Sequence, residues 1–167
     1  MAYTIEKPAD AGYDEDFFLW TQRQAELLRQ AARDRINAPI DWENVAEEIE
    51  SIGRHDRRET RRLVFDISVL LLMLKASSHN ECRSRWQQTL QGRRYDLELI
   101  LADSPSLKNH LPDVLKKEWR AAVEDAQAYF QKSHDHGALQ RLASMTANEF
   151  SGEEILSSSF FPESPAS

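Results

Sequence analysis

The stretch Leu63–Leu74, LVFDISVLLLML, is almost continuously apolar, and it decides the fold. Only Asp66 and Ser68 are polar in it, so a helix made of these residues is apolar on nearly every side. Such a helix is stable when neighbouring elements cover all of its faces. The stretch is too short, and too interrupted, to span a bilayer. It therefore predicts a central, buried helix.

Segments with helical spacing of apolar residues precede this stretch. A first helix is expected from about Asp14 until the segment RINAPI, where Asn37 and Pro39 disfavour a helix interior. A second helix is expected from Asp41, which is a good N-cap residue. Gly53 is then either the end of this helix or a point of close packing.

The remaining helices follow from capping signals and spacing. Asp56 and Glu59 fit a capping box that begins the central helix. A fourth helix is expected over residues 81–102, after which Ser104 can cap the next turn, and a fifth is expected to end near Lys132. Ser151 and Glu154 fit a further capping box. The sequence thus predicts an all-α fold: an antiparallel bundle of about five main helices around the central buried helix (63–74), with a less regular C-terminal tail.

Length and composition favour one folded domain over residues 1–167. We expect its ordered bundle over about 13–132 and a C-terminal extension over 133–167. The chain has 167 residues, 41% of them hydrophobic, and few Gly or Pro, which disfavours β-sandwiches and barrels. The single cysteine, Cys82, cannot form an internal disulfide, which fits a reducing cytoplasm.

Charge is distributed unevenly along the chain. Residues 1–50 carry a formal charge of -7, residues 51–100 carry +4, and residues 101–167 carry -4. Nine arginines lie between Arg54 and Arg94. This basic region can pair with the acidic flanks of the same chain, or it can bind an anionic partner.

The acidic stretch Asp41–Glu50, DWENVAEEIE, is a candidate for metal binding or acid–base chemistry. On a helix, Glu43, Glu47 and Glu50 share one outward face, while Glu48 falls on another flank, where we expect it to be half buried. The carboxylates therefore do not converge, and the chain contains no Glu-x-x-His pair of the kind found in bundle metal sites. Glu47 and Glu48 remain weak metal candidates, and no cofactor is predicted.

A carboxylate within an apolar helix needs a partner, because burying an unpaired charge is costly. For Asp66, an arginine of the fourth helix such as Arg83 or Arg94 is the expected partner. Together with the neighbouring arginines and a tryptophan, these residues form the predicted polar cluster, which is either functional or a buried structural pair. Its members are Glu48, Asp66, Arg58, Arg62, Arg83, Trp86 and Arg94.

Several motifs occur in an order that resembles the Domain of Unknown Function 29 family. They are YDEDFFLW, DWENVAEEIESIGR, RSRWQQTL, DSPSL and EEILSSSFFP, and they span about Tyr13 to Pro162. The resemblance implies a small bacterial all-α protein with no assigned activity. A histidine often precedes the lysine that matches Lys75 in this family. Here Leu71–Leu74 occupy those positions.

Three functional hypotheses remain open from the sequence. The first is a non-catalytic intracellular module that binds a protein partner or self-associates. The second is a metal-dependent hydrolase that uses Glu47 or Glu48. The third is a nucleic-acid-associated protein that uses the basic region Arg54–Arg94, although the sequence pI near 5.3 is low for a dedicated nucleic-acid binder.

Overall fold

Six α-helices and no strand make up the part of the protein that the structure describes. The computed structural model describes residues 12–34, 40–79, 81–145 and 147–165, so the predicted break at Asn37 and Pro39 lies outside it. The all-α prediction is confirmed. The helices are α1 (Phe17–Arg33), α2 (Trp42–Ala76), α3 (Arg83–Asp103), α4 (Leu111–Lys132), α5 (His136–Ser144) and α6 (Gly152–Leu156), with a 3₁₀-helix at Pro105–His110.

The second and third predicted helices are one continuous helix of 35 residues, α2. Asp41 caps it as expected, since its carboxylate accepts a hydrogen bond from the Asn44 backbone N–H. Of the two alternatives for Gly53, the structure shows the point of close packing and not the helix end, and the prediction that Asp56 begins another helix was wrong. Gly53 instead lies inside α2, where α1 packs against it. The helix continues because this packing offsets the low helix propensity of glycine.

The apolar half of α2 is the centre of the molecule, as the sequence predicted. In Leu63–Leu74, nine of the twelve residues are buried, including the polar Ser68. The Ser68 hydroxyl donates to the Val64 carbonyl, so its burial leaves no unpaired group. Helix α2 contacts all five of the other α-helices, and within this stretch only Phe65, Asp66 and Leu70 remain partly exposed.

Hydrogen bonds in both directions hold the start of α1 against the α3–α4 connection. Asp16 is the N-cap of α1, and its carboxylate also accepts hydrogen bonds from the backbone N–H and the hydroxyl of Ser106. Ser104, which the sequence placed as a cap for the following turn, instead accepts from the Phe18 N–H of α1 at 3.1 Å. Both Asp16 and Ser104 are buried, so these hydrogen bonds are shielded from water.

The C-terminal region contains two short helices and contributes to the core. The predicted capping box of Ser151 and Glu154 is present and begins α6. Leu142 of α5 and Ile155 of α6 are fully buried. No helix in the described ranges combines the length and the apolar character that crossing a bilayer requires.

Candidate functional site

A basic groove lies between α2 and the first turns of α4. It encloses about 250 Å³. Because α2 continues through Gly53, the arginines of its middle turns share a nearly continuous strip along the helix. Helix α4 supplies the opposite wall. The groove is lined by Arg54, Arg57, Arg58, Arg61, Val114, Lys117 and Glu118.

The cations of the basic groove are only partly neutralised. Arg61 pairs with Glu118 at 2.5 Å, and Arg54 pairs with Glu50 at 3.1 Å. By contrast, Arg57, Arg58 and Lys117 are exposed and form no ion pair or hydrogen bond within the described part of the chain. Such a groove attracts carboxylates or phosphates.

An apolar floor accompanies these charges. Val114 lines the groove, and Phe65 lines its continuation beside Arg61 and Arg62. Both apolar side chains are half-buried and pack against the core. A ligand that fits this surface therefore combines negative charge with some apolar surface.

The chemistry of the groove suits the binding of anions. Guanidinium groups remain protonated in proteins, so the arginines cannot act as general bases. The one carboxylate of the lining, Glu118, is held by Arg61 and has a side chain only 13% exposed. No nucleophile of the serine, cysteine or histidine type is among the lining residues.

Arg62 and Asp66 lie at one edge of this surface and form a small ion-pair network. The Arg62 guanidinium donates to Asp66 at 2.9 Å and to both oxygens of Glu59. The Arg62 hydrogen bonds and charge lower the pKa of Glu59. Arg93 of α3 lies 3.3 Å from Asp66. An arginine of the fourth predicted helix thus pairs with Asp66, as expected, but it is Arg93 rather than Arg83 or Arg94.

Arg83 and Arg94 instead hold the C-terminal segment through its backbone carbonyls. Arg94 is 4% exposed and donates to the carbonyls of Glu154, Ile155 and Phe160 at 2.7–2.9 Å. Burial lowers the pKa of Arg94. Arg83 donates to the carbonyls of Leu74 and Pro162. Both arginines therefore act in the fold, away from the basic groove.

Trp86 is buried and lines a different pocket, between the start of α3 and the end of α4. Its ring makes edge contacts with those of Tyr129 and Phe130, and the exposed Cys82 lies in the same pocket. Burial and the Cys82 thiol raise the pKa of Tyr129. The seven residues of the predicted polar cluster are thus divided among separate parts of the molecule.

Glu47 and Glu48 are both exposed on the first turns of α2. The expectation that Glu48 is half buried was wrong, because its flank of the helix is exposed in the described part of the chain. In the described part of the chain, no group of three or more His, Cys, Asp or Glu side chains is placed to hold a metal ion.

The part of the groove that sequence reasoning missed comes from α4. Val114, Lys117 and Glu118 carry no motif that sets them apart from other surface residues of an amphipathic helix. Only the packing of α4 against α2 brings them beside the arginines. Arg61 and Glu118 are separated by 57 positions, so no local sequence pattern could predict their ion pair.

Comparison with known proteins gives a family and a solved relative, and no protein with curated annotation matches the chain. The chain is similar to an α-helical protein of unknown function from Rhodospirillum rubrum, whose crystal structure was solved at 1.45 Å resolution. The two are 28% identical with a TM-score of 0.76, over 90% of this chain and 92% of the other. The model of the domain of unknown function DUF29 matches residues 13–161. The chain therefore belongs to the DUF29 family.

Proposed function

We propose that this protein is a non-catalytic interaction module that holds an acidic helical segment of a protein partner in its basic groove. The observation that carries this proposal is the presence around one groove of three cations, Arg57, Arg58 and Lys117, that have no ion pair with any residue the structure describes. The net charge of the chain is -7, so this local excess of positive charge stands out against an acidic molecule.

A protein segment fits the groove better than a nucleic acid does. The apolar floor of Val114 and Phe65 suits the apolar side chains of an amphipathic helix. A nucleic acid needs an extended basic track that follows its phosphates, and the acidic turns of α2 at Glu43 and Glu47 interrupt such a track.

The compartment that we propose is a bacterial cytoplasm. The unpaired thiol of Cys82 supports a reducing compartment, and the solved relative from Rhodospirillum rubrum supports a bacterial source.

The test measures binding of fluorescent probes by anisotropy. The probes are an acidic amphipathic peptide with glutamates at helical spacing, a scrambled peptide of equal charge, and a single-stranded oligonucleotide. We expect the helical peptide to bind best. The double variant Arg57→Glu/Arg58→Glu should weaken this binding by at least about tenfold, because close attractive charge pairs become repulsive.

A matched variant controls for the change in net charge. Arg120→Glu/Lys132→Glu introduces the same charge change at exposed positions of α4 that do not line the groove, and it should bind like the wild type. Equal binding of the helical peptide by the groove variant would overturn the proposal. Tighter binding of the oligonucleotide, with a steep loss on adding salt, would replace it with the nucleic-acid hypothesis.

A further inference from the structure

The charges on one face of α2 change sign in the middle of the helix. Glu43, Glu47 and Glu50 are followed by Arg54, Arg57 and Arg61, with alternating spacings of four and three residues. At 100° per residue these six positions lie within an arc of about 80°. They form a single strip only because α2 is continuous from Trp42 to Ala76. We call these six residues the charge strip.

The charge strip of one copy is complementary to the charge strip of a second copy that runs antiparallel to it. Along the helix axis, each acidic position and its basic counterpart lie at equal distances from the level of Ile52, although Ile52 itself is on the opposite face of α2. A second α2 that runs antiparallel, related by a two-fold axis at that level, therefore brings unlike charges together at every position. The pairs are Glu43 with Arg61, Glu47 with Arg57, and Glu50 with Arg54 of the second copy. A parallel pairing at the same register brings like charges together instead.

The outer members of the strip are available for such contacts. Glu43, Glu47, Arg57 and Arg61 are all exposed. Of these four, only Arg61 has an ion pair in the described chain, and that pair, with Glu118, is largely open to solvent on the arginine side. The central Glu50 already pairs with Arg29 and Arg54, and these contacts lower its pKa. The outer pairs thus supply the new attraction.

Apolar contacts accompany the charges in the same register. Ile40, which precedes α2 and is 45% exposed, would lie at the level of Phe65 of a second copy in this antiparallel arrangement. Phe65 and Val114 form the floor of the basic groove and its continuation. The acidic turns of each copy would therefore lie along the basic groove of the other.

From this symmetry we infer that the partner of the basic groove is a second copy of the chain, in a two-fold dimer formed by antiparallel charge strips. The inference rests on the proposed function and names the partner of the same groove. A two-fold interface uses each contact twice, so two outer pairs on the strip become four between the copies.

Charge reversal at both ends of the strip tests the dimer. The acid-reversed variant is Glu43→Arg/Glu47→Arg, and the base-reversed variant is Arg57→Glu/Arg61→Glu. We expect the wild type to sediment as a dimer at low salt. Each reversed variant should be a monomer, with self-association weakened by at least about a hundredfold, since every outer pair becomes repulsive.

Two combinations of these substitutions should restore the dimer, and they distinguish pairing in a specific register from a general effect of charge. Mixing the acid-reversed and base-reversed variants should give a one-to-one heterodimer. A chain that carries all four substitutions should again form a homodimer, because its four outer charges are exchanged, Glu50 and Arg54 are unchanged, and every pair still joins unlike charges. Glu48→Arg, which reverses an exposed charge outside the strip, is the matched control and should remain dimeric. Circular dichroism confirms that each variant is folded.

The outcomes separate the dimer from the proposed function. A wild type that stays monomeric in sedimentation equilibrium, or a dimer that survives both reversals, overturns the dimer. If the monomer still binds the acidic helical peptide through Arg57 and Arg58, the proposed function stands without it. If the dimer forms but the peptide does not compete with it, the groove accepts only its own chain, and the proposal of a different partner fails.

Discussion

Gly53 shows how a single residue sets the path of the longest helix. A Cβ atom at this position would lie 2.1 Å from the Thr21 hydroxyl oxygen and 3.3 Å from the Thr21 Cβ. Thr21 is fully buried, and its hydroxyl donates to the Phe18 carbonyl, so it has little room to move. The glycine is therefore needed for close approach of α1 and α2 rather than for a turn.

The substitution Gly53→Ala should destabilise the protein although alanine is the better helix former. We expect a net loss of about 1–3 kcal/mol, because the clash with Thr21 outweighs the gain in helix propensity of about 1 kcal/mol. Urea unfolding followed by circular dichroism measures the change.

Gly92 of α3 is the matched control for this prediction. A Cβ atom there meets no other atom within 4 Å, and the residue is exposed. Gly92→Ala should therefore stabilise the protein by up to about 1 kcal/mol. If both glycine substitutions stabilise the protein, close packing at Gly53 is not what retains the glycine.

At the scale of elements, arginines of α3 hold the C-terminal segment, and Arg94 is the buried one. Arg94 of α3 reaches three carbonyls between Glu154 and Phe160, and its guanidinium lies 5.7 Å from the Phe161 ring centre. The segment has little regular structure beyond the five residues of α6. Side-chain donors therefore take the place of backbone hydrogen bonds in fixing its path.

Replacing Arg94 should release this segment from the core. For Arg94→Met we expect a loss of about 2–4 kcal/mol, since several charge-assisted hydrogen bonds disappear from a buried site. Arg94→Lys should not restore stability, because an ammonium group cannot reach three carbonyls with the geometry of a guanidinium. Limited proteolysis should then cut within residues 150–165.

Arg93→Met provides the comparison. Arg93 pairs with Asp66 and Asp96 at the surface and is 38% exposed, so its loss should cost no more than about 1 kcal/mol. Proteolysis of the segment at the same rate in both variants would contradict the assigned role of Arg94.

At the scale of the whole molecule, stability is distributed unevenly along α2. The apolar half is covered by α3, α4 and the C-terminal helices. The acidic half pairs mainly with α1, and in Trp42–Ser51 only Ala46 is buried. One continuous helix therefore passes from the edge of the molecule into its centre.

Amide hydrogen exchange should follow this gradient. We expect the amides of Leu63–Leu74 to be the most protected, with opening free energies near that of global unfolding. Those of residues 42–50 should exchange much faster, because few buried contacts oppose local opening. Exchange measured by NMR or mass spectrometry at low protein concentration tests this. Uniform protection along α2 would show that the helix opens only as one unit.

The sequence by itself determined the fold class, the central helix and most helix ends. Apolar spacing and caps such as Asp41 and Ser151 are local signals, and the structure confirms them. The spacing of the charges in the charge strip is present in the sequence, but the structure was needed to show that one helix carries all six residues.

Only the tertiary structure decided how these elements join and which charges meet. A glycine ends a helix or admits a close neighbour according to whether another helix packs there, and for Gly53 that neighbour is α1. The sequence predicted an arginine of the fourth helix, such as Arg83 or Arg94, as the partner of Asp66. The structure pairs Asp66 with Arg62 and Arg93 instead, because the arginines of α3 leave that helix in different directions. The basic groove likewise required α4 beside α2, because long-range packing, rather than local propensity, brings its two walls together.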